Sequence, residues 1–405
     1  MTRRIAVVGA GMAAARFAQQ TLAHAPVGEV QLTLFGHEPH APYNRALLAD
    51  VLTGRYRPES IALPTGGADI RHGCEVVALD PRARTLRTAT GESVSYDTLV
   101  LATGANPVLP PIRNLHSTVG TGLKEGVHAF RTLADCVRLA EAAANATRAV
   151  VVGGGVLGVS AARALAALGL PVEIVHQAPH LMERHLDEEA GQTVRRALLA
   201  MGAAVYTENR ARALHGAEGV TGLELAGGHV LDTDLVVLAC GVRPRSALAK
   251  AAGLTVRRGV VVDDTLATSA PDVYAIGDCA EHRGTVHGLS GPAWEQADVL
   301  AGRLSGARPH AVHTGSRVLA RLSAGAIEIA AFGDVTDADR DTDVLRLTDA
   351  TRGSYKKLVM RDDRLVGAIL VGDLATVGDL THAYEREEPL PPDPLHLLTT
   401  QGAHQ

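Results

Sequence analysis

The sequence predicts an α/β protein with two parallel-sheet units of doubly wound type and a small α+β domain at its end. Three observations carry this. The apolar run Ile5–Val8 meets a glycine turn and then a helix-forming stretch, Met12–Gln19, free of Gly and Pro. The same design returns at Ala149–Ala167. Beyond residue 317, segments of strand character with alternating polarity replace these buried runs.

In the first unit, Ile5–Val8 has the unbroken apolar character of a strand buried on both faces. Gly9-Ala10-Gly11 turns the chain into the helix. A strand, a glycine turn and a helix together aim backbone N–H groups and the positive end of a helix dipole at one point, where a pyrophosphate fits. Gly9 permits the turn, and Gly11 lets phosphates approach the backbone. Ala14, in the place of a third glycine, is small enough for the helix to pack against the strand. The dipole contributes about 0.3–1 kcal/mol, so most of the affinity must come from the N–H groups and the rest of the pocket. Gly153, Gly155 and Gly158 repeat the arrangement. Two Rossmann-like loops in one chain predict two nucleotide sites, and two nucleotides point to electron transfer between them.

Composition narrows the function further. The 405 residues suffice for two or three domains, and 46% hydrophobic residues supply their cores. A net charge of −5 with 3% aromatics argues against nucleic-acid binding, which needs a basic face and stacking rings. Arg3 and Arg4 lead straight into a strand, unlike a signal peptide. Arg163 and Glu173 interrupt the apolar stretch after Ala149, which excludes a membrane span there. Cys74, Cys136, Cys240 and Cys279 form no CxxC pair and no metal-ligand spacing, so no metal is expected. Reduced thiols and a cytoplasmic location are the expectation.

In chain order, Val30–Phe35 reads as the second strand, and Glu38 follows where an acid would bond the ribose of a dinucleotide. A solvated loop glutamate is the alternative. Pro39–Asp50 is a proline-led loop entering a short helix, in which Arg45 either reaches a pyrophosphate or lies on the surface. Short strands are predicted at 74–79 (which holds Val76), 84–89 and 93–96, and a buried strand at 97–101. Thr103 and Gly104 follow, small enough for close approach to a ligand. Pro107–Pro111 reads as a linker, and 129–146 as a helix with an apolar stripe at Leu133, Val137, Ala140 and Ala144. After the second glycine loop, Val172–Val175 ends at His176-Gln177, with neither an acid for a free ribose nor an Arg for a 2′-phosphate. The missing Arg leans slightly toward NADH, and Arg184 remains a candidate for the phosphate. Leu235–Ala239 leads into Cys240-Gly241, and 274–278 is a strand ending at Asp278. That carboxylate suits the hydroxyls of a sugar alcohol, or it caps the helix predicted over 294–304. Strands at 318–332, 343–347, 356–361 and 365–371, with a helix over 374–385, form the small domain. The proline-rich tail, 389–405, is expected to be ordered poorly or by docking only.

Together these landmarks resemble the two-dinucleotide flavoproteins, the pyridine-nucleotide oxidoreductases with FAD. The specific stretches are PYNRALLADVLTG, VHQAPHLMERHLDEEAG, AIGDCAEHRGTVHGL and RGSYKKLVMRDDRLVGAILVGD. Within that group the chain is most similar to the N-terminal flavin module of NAD(P)H nitrite reductase large subunits, and next to rubredoxin and ferredoxin reductases. The resemblance implies a glutathione-reductase-like fold. Its FAD domain would comprise 1–113 and 243–308, its NAD(P)H domain 114–242 and its C-terminal interface domain 309–388. FAD would lie on Gly9, Gly11, Met12, Ala13, Ala14, Glu38, Arg45, Val76, Thr103 and Gly104, with Asp278 on the ribitol and Trp294 near the ring. NADH or NADPH would lie on Gly153, Gly155, Val156, Leu157, Gly158, His176 and Gly241.

Three departures accompany the likeness. Ser160 stands where relatives carry Glu near the nicotinamide, and Asp50 where a Lys is often found near the flavin. Neither an iron–sulfur segment nor a siroheme domain is present in these 405 residues. Without a cysteine pair there is no dithiol relay, and Cys279 reads as a packed residue in preference to a redox thiol. The leading reading is a diaphorase: electrons pass from the nicotinamide through flavin to a separate redox protein, such as a ferredoxin, a rubredoxin or a nitrite or nitrate reductase component. Because the cofactors supply the chemistry, no catalytic residue is assigned. The alternatives are a flavoenzyme acting directly on a small-molecule substrate and a flavin-bound sensor. A monomer or homodimer, with no nucleic acid and no membrane, is expected.

Overall fold

The computed structural model describes residues 2–117, 121–317, 319–325, 327–336, 341–391 and 394–398. By its internal contacts the chain divides into two units. The first comprises Met1–Leu47, Tyr56–Asn106 and Val242–Val318, and the second Leu48–Arg55, Pro107–Gly241 and Leu319–Gln405. Residues 48–55 group with the second unit, and so does the segment expected to form a separate C-terminal domain.

The core of the first unit is a five-stranded parallel sheet. Its order is Val273–Ala275, Thr98–Leu101, Arg3–Val8, Val30–Phe35, Asp69–Arg71. The central strands are continuous apolar runs because helices cover both faces of such a sheet. Val7, Leu34, Leu99 and Val100 are fully buried. The Met12–His24 helix turns Ala14, Phe17 and Ala18 inward. An antiparallel meander of Val76–Asp80, Thr85–Thr88 and Ser93–Ser95 fills the crossover before Thr98.

The second unit repeats this plan. Its parallel sheet runs Ala203–Tyr206, Val172–Val175, Ala149–Val152, Leu235–Leu238, Val127–Ala129. Its own meander, Ala211–His215, Gly222–Leu225 and Val230–Asp232, precedes Leu235. In each sheet the strand order reverses beside the strand that feeds the glycine loop, which opens a crevice at the strands' carboxyl ends. The second unit also holds a five-stranded antiparallel sheet, ordered Leu319–Ala324, Ile327–Gly333, Arg364–Val371, Ser354–Arg361, Asp343–Asp349. The Val377–Arg386 helix packs on it through Leu380.

Several expectations are corrected. The helix predicted over 129–146 spans Leu133–Ala143, and Val127–Ala129 is a sheet edge. Its buried side chains are Leu133, Cys136, Leu139 and Ala143, whereas Val137 is exposed. The predicted stripe was therefore one residue off at its second and later positions. The helix start is fixed by a capping box: the Asp135 N–H donates to Thr132 Oγ1 at 3.1 Å, and the Thr132 N–H to Asp135 Oδ2 at 2.8 Å. Thr132→Ala should lower stability by about 1 kcal/mol, read as a lower urea midpoint; an unchanged midpoint would reject that role. The single strand predicted over 318–332 is a hairpin, Leu319–Ala324 with Ile327–Gly333, and Val318 lies outside the described residues. The described part of the tail docks: the Leu390 N–H donates to the Asp363 carbonyl at 2.7 Å, and Leu398 is buried. Residues 392–393 and 399–405 lie outside the described residues. The helix at Glu188–Ala200 and the meander after it went unread in the sequence.

Candidate functional site: two glycine-loop clefts

The two loops share one backbone geometry. Gly9 has φ +114° and Gly153 φ +112°, values that L side chains rarely adopt. A Cβ on Gly9 would stand 2.1 Å from the Ala102 carbonyl oxygen, and one on Gly153 2.3 Å from that of Ala239. The Gly9 N–H donates to the Phe35 carbonyl at 2.9 Å, as the Gly153 N–H does to Val175 at 2.8 Å. Each loop thus closes against its neighbouring strand so tightly that only glycine fits. The loop tips differ: Gly11 and Gly155 have nothing within 4 Å of a would-be Cβ. That is open space over which a ligand can lie.

In the first unit, Gly9, Gly11, Glu38, Arg45, Thr103 and Arg245 line one cleft. Glu38 and Arg45, expected at different parts of one cofactor, are bonded to each other. The Tyr43 hydroxyl donates to Glu38 Oε2 at 2.7 Å, and the Arg45 guanidinium lies 4.8 Å from the Tyr43 ring centre. Burial works to raise the Glu38 carboxyl, but the charge of Arg45 and the bonds from Arg45 and Tyr43 outweigh it and hold it below the usual range. Glu38 therefore presents an anion on a cleft wall. Arg245 went unread in the sequence; its N–H donates to the Gly104 carbonyl at 2.9 Å, and the Thr103 hydroxyl donates to its carbonyl at 2.6 Å. Ala14 and Val76 are buried in the core beneath.

Asp278 lies in the turn Gly277–Cys279. A Cβ on Gly277 would stand 3.0 Å from the Ala13 Cβ, and the Gly277 N–H donates to buried Gln296 Oε1 at 2.7 Å. The turn thus joins the first loop's helix to Ser290–Leu304, the helix that carries partly buried Trp294. That helix begins four residues before the expected start, with Leu289 as its N-cap. Cys279 is fully buried and its thiol bonds to the Leu101 and Ile276 carbonyls; burial pushes its pKa up, as for a packed thiol. All four cysteines are free, and the described residues hold no metal-binding cluster.

In the second unit, a Cβ on Gly158 would stand 1.9 Å from the Gly153 carbonyl oxygen, which brings the helix onto its own loop. Val156 and Leu157 form the first turn beside it. His176 does meet the loop: the Gly154 N–H donates to His176 Nδ1 at 3.0 Å, and His176 Nε2 lies 3.0 Å from Glu183 Oε2. Glu183 went unread in the sequence; it lies eight positions beyond the end of the Val172–Val175 strand, where an acid is sought. Gly241, at φ +93°, accepts from the Val108 N–H at 2.9 Å. Asp50 is buried in this unit and bonds Arg163 at 3.1 Å, one helical turn beyond Ser160. The two departures from the family pattern therefore lie on elements joined by an ion pair.

Residues 3–300 match the family described as pyridine nucleotide-disulphide oxidoreductase. The chain belongs to this family. Residues 319–388 of this oxidoreductase match the C-terminal domain of rubredoxin NAD+ reductase. It is 35% identical to a nitrite reductase [NAD(P)H] of Bacillus subtilis over 95% of this chain and 47% of that protein. It is 33% identical to the ferredoxin–NAD(+) reductase component of the biphenyl dioxygenase system of Paraburkholderia xenovorans, over 69% of this chain and 68% of that one. Among solved structures, the ferredoxin reductase for the CYP199A2 system of Rhodopseudomonas palustris matches with a TM-score of 0.82 and 27% identity, covering 93% of each chain. The chain spans about half the length of the first curated relatives it matches. No helix among the described residues is long and apolar enough to cross a membrane.

Proposed function

We propose that this oxidoreductase takes electrons from NADH, or less readily NADPH, at the second glycine loop and delivers them through FAD held at the first to a separate redox acceptor protein. The observation that carries this reading is the twin geometry of Gly9 and Gly153, two cradles of one design in one chain. The first cleft fits FAD: open space over Gly11 for the phosphates, an ionised Glu38 for ribose hydroxyls and Arg45 and Arg245 for phosphate charge. Bound there, FAD would supply the two-electron chemistry, and the chain's own residues would bind and orient. Gln296 fixes the turn that carries Asp278, whose carboxylate would hold the ribitol. The half-length match to nitrite reductases supports an acceptor on another chain or segment, as does the likeness to a ferredoxin reductase component.

The test is anaerobic mixing of the purified flavoprotein with NADH and, separately, NADPH, following flavin absorbance. Bleaching by at least one nucleotide, and reoxidation by an added ferredoxin or rubredoxin, is the expected result. Flavin that stays oxidised with both nucleotides would overturn the reading. Turnover of a small molecule without any protein acceptor would replace the acceptor half of it, and the altered charges at Ser160 and Asp50 are what favours that second reading.

A further inference from the structure

We propose that Glu183, held at the end of Val172–Val175 by the His176 ring, binds the adenine-side ribose hydroxyls of the nicotinamide nucleotide and makes the chain select the form without a 2′-phosphate. This rests on the assignment of that nucleotide to the second loop and deepens it.

Dinucleotide units usually carry the ribose acid at the end of the second strand. Here His176 occupies that place and is 7% exposed. Its two ring nitrogens are both committed. A nitrogen that accepts the Gly154 N–H carries no proton, so the neutral ring bears its proton on Nε2. That proton points at Glu183 Oε2, 3.0 Å away. The imidazole thus acts as a rigid spacer, with the glycine loop on one side and a carboxylate on the other.

A second anchor sets the same carboxylate from its own backbone. The Met182 N–H donates to the Gly154 carbonyl at 2.9 Å. Met182 sits at φ +55° with its side chain buried, a backbone state that a non-glycine residue holds only when its surroundings enforce it. Both ends of the Gly154 unit are therefore spent on the 176–183 segment, and a Cβ there would stand 2.5 Å from Leu181 and 2.7 Å from the His176 ring. The Glu183 side chain remains 32% exposed. With Oε2 on His176, Oε1 is left to accept from a sugar hydroxyl. A carboxylate in that place meets a 2′-phosphate as a like charge, so it discriminates by repulsion as well as by bonding. Exposed Arg184 is the competing group, since a guanidinium there would favour the phosphate.

The experiment measures binding of NAD+ and NADP+ to the flavoprotein by calorimetry, with KM and kcat for NADH and NADPH alongside. Wild type, Glu183→Gln, Glu183→Asp and Arg184→Ala are compared. Wild type should bind NAD+ at least about tenfold more tightly than NADP+. Glu183→Gln should weaken NAD+ about tenfold and tighten NADP+, raising KM for NADH with kcat little changed. Glu183→Asp, shorter by one methylene, should fall between them, and Arg184→Ala should leave NAD+ binding unchanged. Should Glu183→Gln fold poorly, judged by flavin content, the Asp variant carries the test. An NAD+ to NADP+ ratio indifferent to Glu183, or a wild-type preference for NADP+ lost in Arg184→Ala, would overturn the inference while the electron-transfer reading stands. Failure of both nucleotides to bind and to bleach the flavin would remove that reading too.

Discussion

Asp50→Leu should cost the second unit about 3–5 kcal/mol, the range for stripping one partner from a buried ion pair. Arg163 is 7% exposed on its side chain, and its Nε has no partner among the described residues. Without Asp50 the guanidinium stays buried with no anion beside it. The reverse change should cost less, because Arg163→Met leaves Asp50 with Arg55 at 3.8 Å, a largely exposed side chain that water already serves. The double variant Asp50→Leu/Arg163→Met should recover most of the loss, since apolar replacement of a whole buried pair is often neutral or stabilising. Urea midpoints of the four proteins read this directly. Equal midpoints for Asp50→Leu and wild type would defeat the account. The double variant also separates fold from function. If its stability returns while flavin bleaching by NADH slows, the reversed charges beside Ser160 serve electron transfer and not packing alone.

The second large effect divides the molecule in two. Gly9→Ala and Gly158→Ala make the same small addition, but they should fail differently. A Cβ at Gly9 lies 2.1 Å from a backbone oxygen at φ +114°, so Gly9→Ala combines overlap with backbone strain. Strain of about 1–3 kcal/mol and overlap of similar size together weaken a ligand by on the order of a hundredfold or more. That protein should purify with little flavin. Gly158→Ala adds its methyl 1.9 Å from the Gly153 oxygen and pushes the helix off the second loop. It should purify yellow and resist bleaching by either nucleotide. Flavin content at purification and absorbance after anaerobic NADH distinguish the two. A yellow, bleachable Gly158→Ala would mean that the second loop does not hold the donor.

What the sequence made legible follows a physical rule. Ile5–Val8, Thr98–Leu101 and Leu235–Leu238 lie where the apolar runs place them, because a strand buried in a parallel sheet is apolar on both faces. Both glycine loops were legible because the backbone contact at Ala102 and Ala239 admits no side chain. Less legible were elements whose identity depends on distant partners. Val127–Ala129 has no strand signal apart from Leu235–Leu238 beside it, and three residues are too few to show a period. The hairpin at 319–333 hid in one segment of alternating polarity, which runs on from Leu319–Ala324 into Ile327–Gly333. Glu183 escaped for a third reason: a side chain from outside the usual spacing fills the place, and only the His176 ring brings it there.

One junction in the second unit has a consequence for how the chain reaches its final state. Asp187 caps the Glu188–Ala200 helix by accepting the Ala190 N–H at 3.0 Å through Oδ1. Its other oxygen accepts from the Tyr355 hydroxyl at 2.7 Å and from fully buried Lys357 Nζ at 3.1 Å. These partners lie 168 and 170 positions downstream. During synthesis, which runs from the N-terminus at about 5–20 residues per second, Asp187 emerges on the order of ten seconds or more before either of them. The helix that follows it can begin on the cap alone, while the Asp187–Lys357 pair forms only after that long loop has closed. Completion of the second nucleotide unit is thereby tied to the last strands of the chain, and assembly of the one is a checkpoint on the arrival of the other.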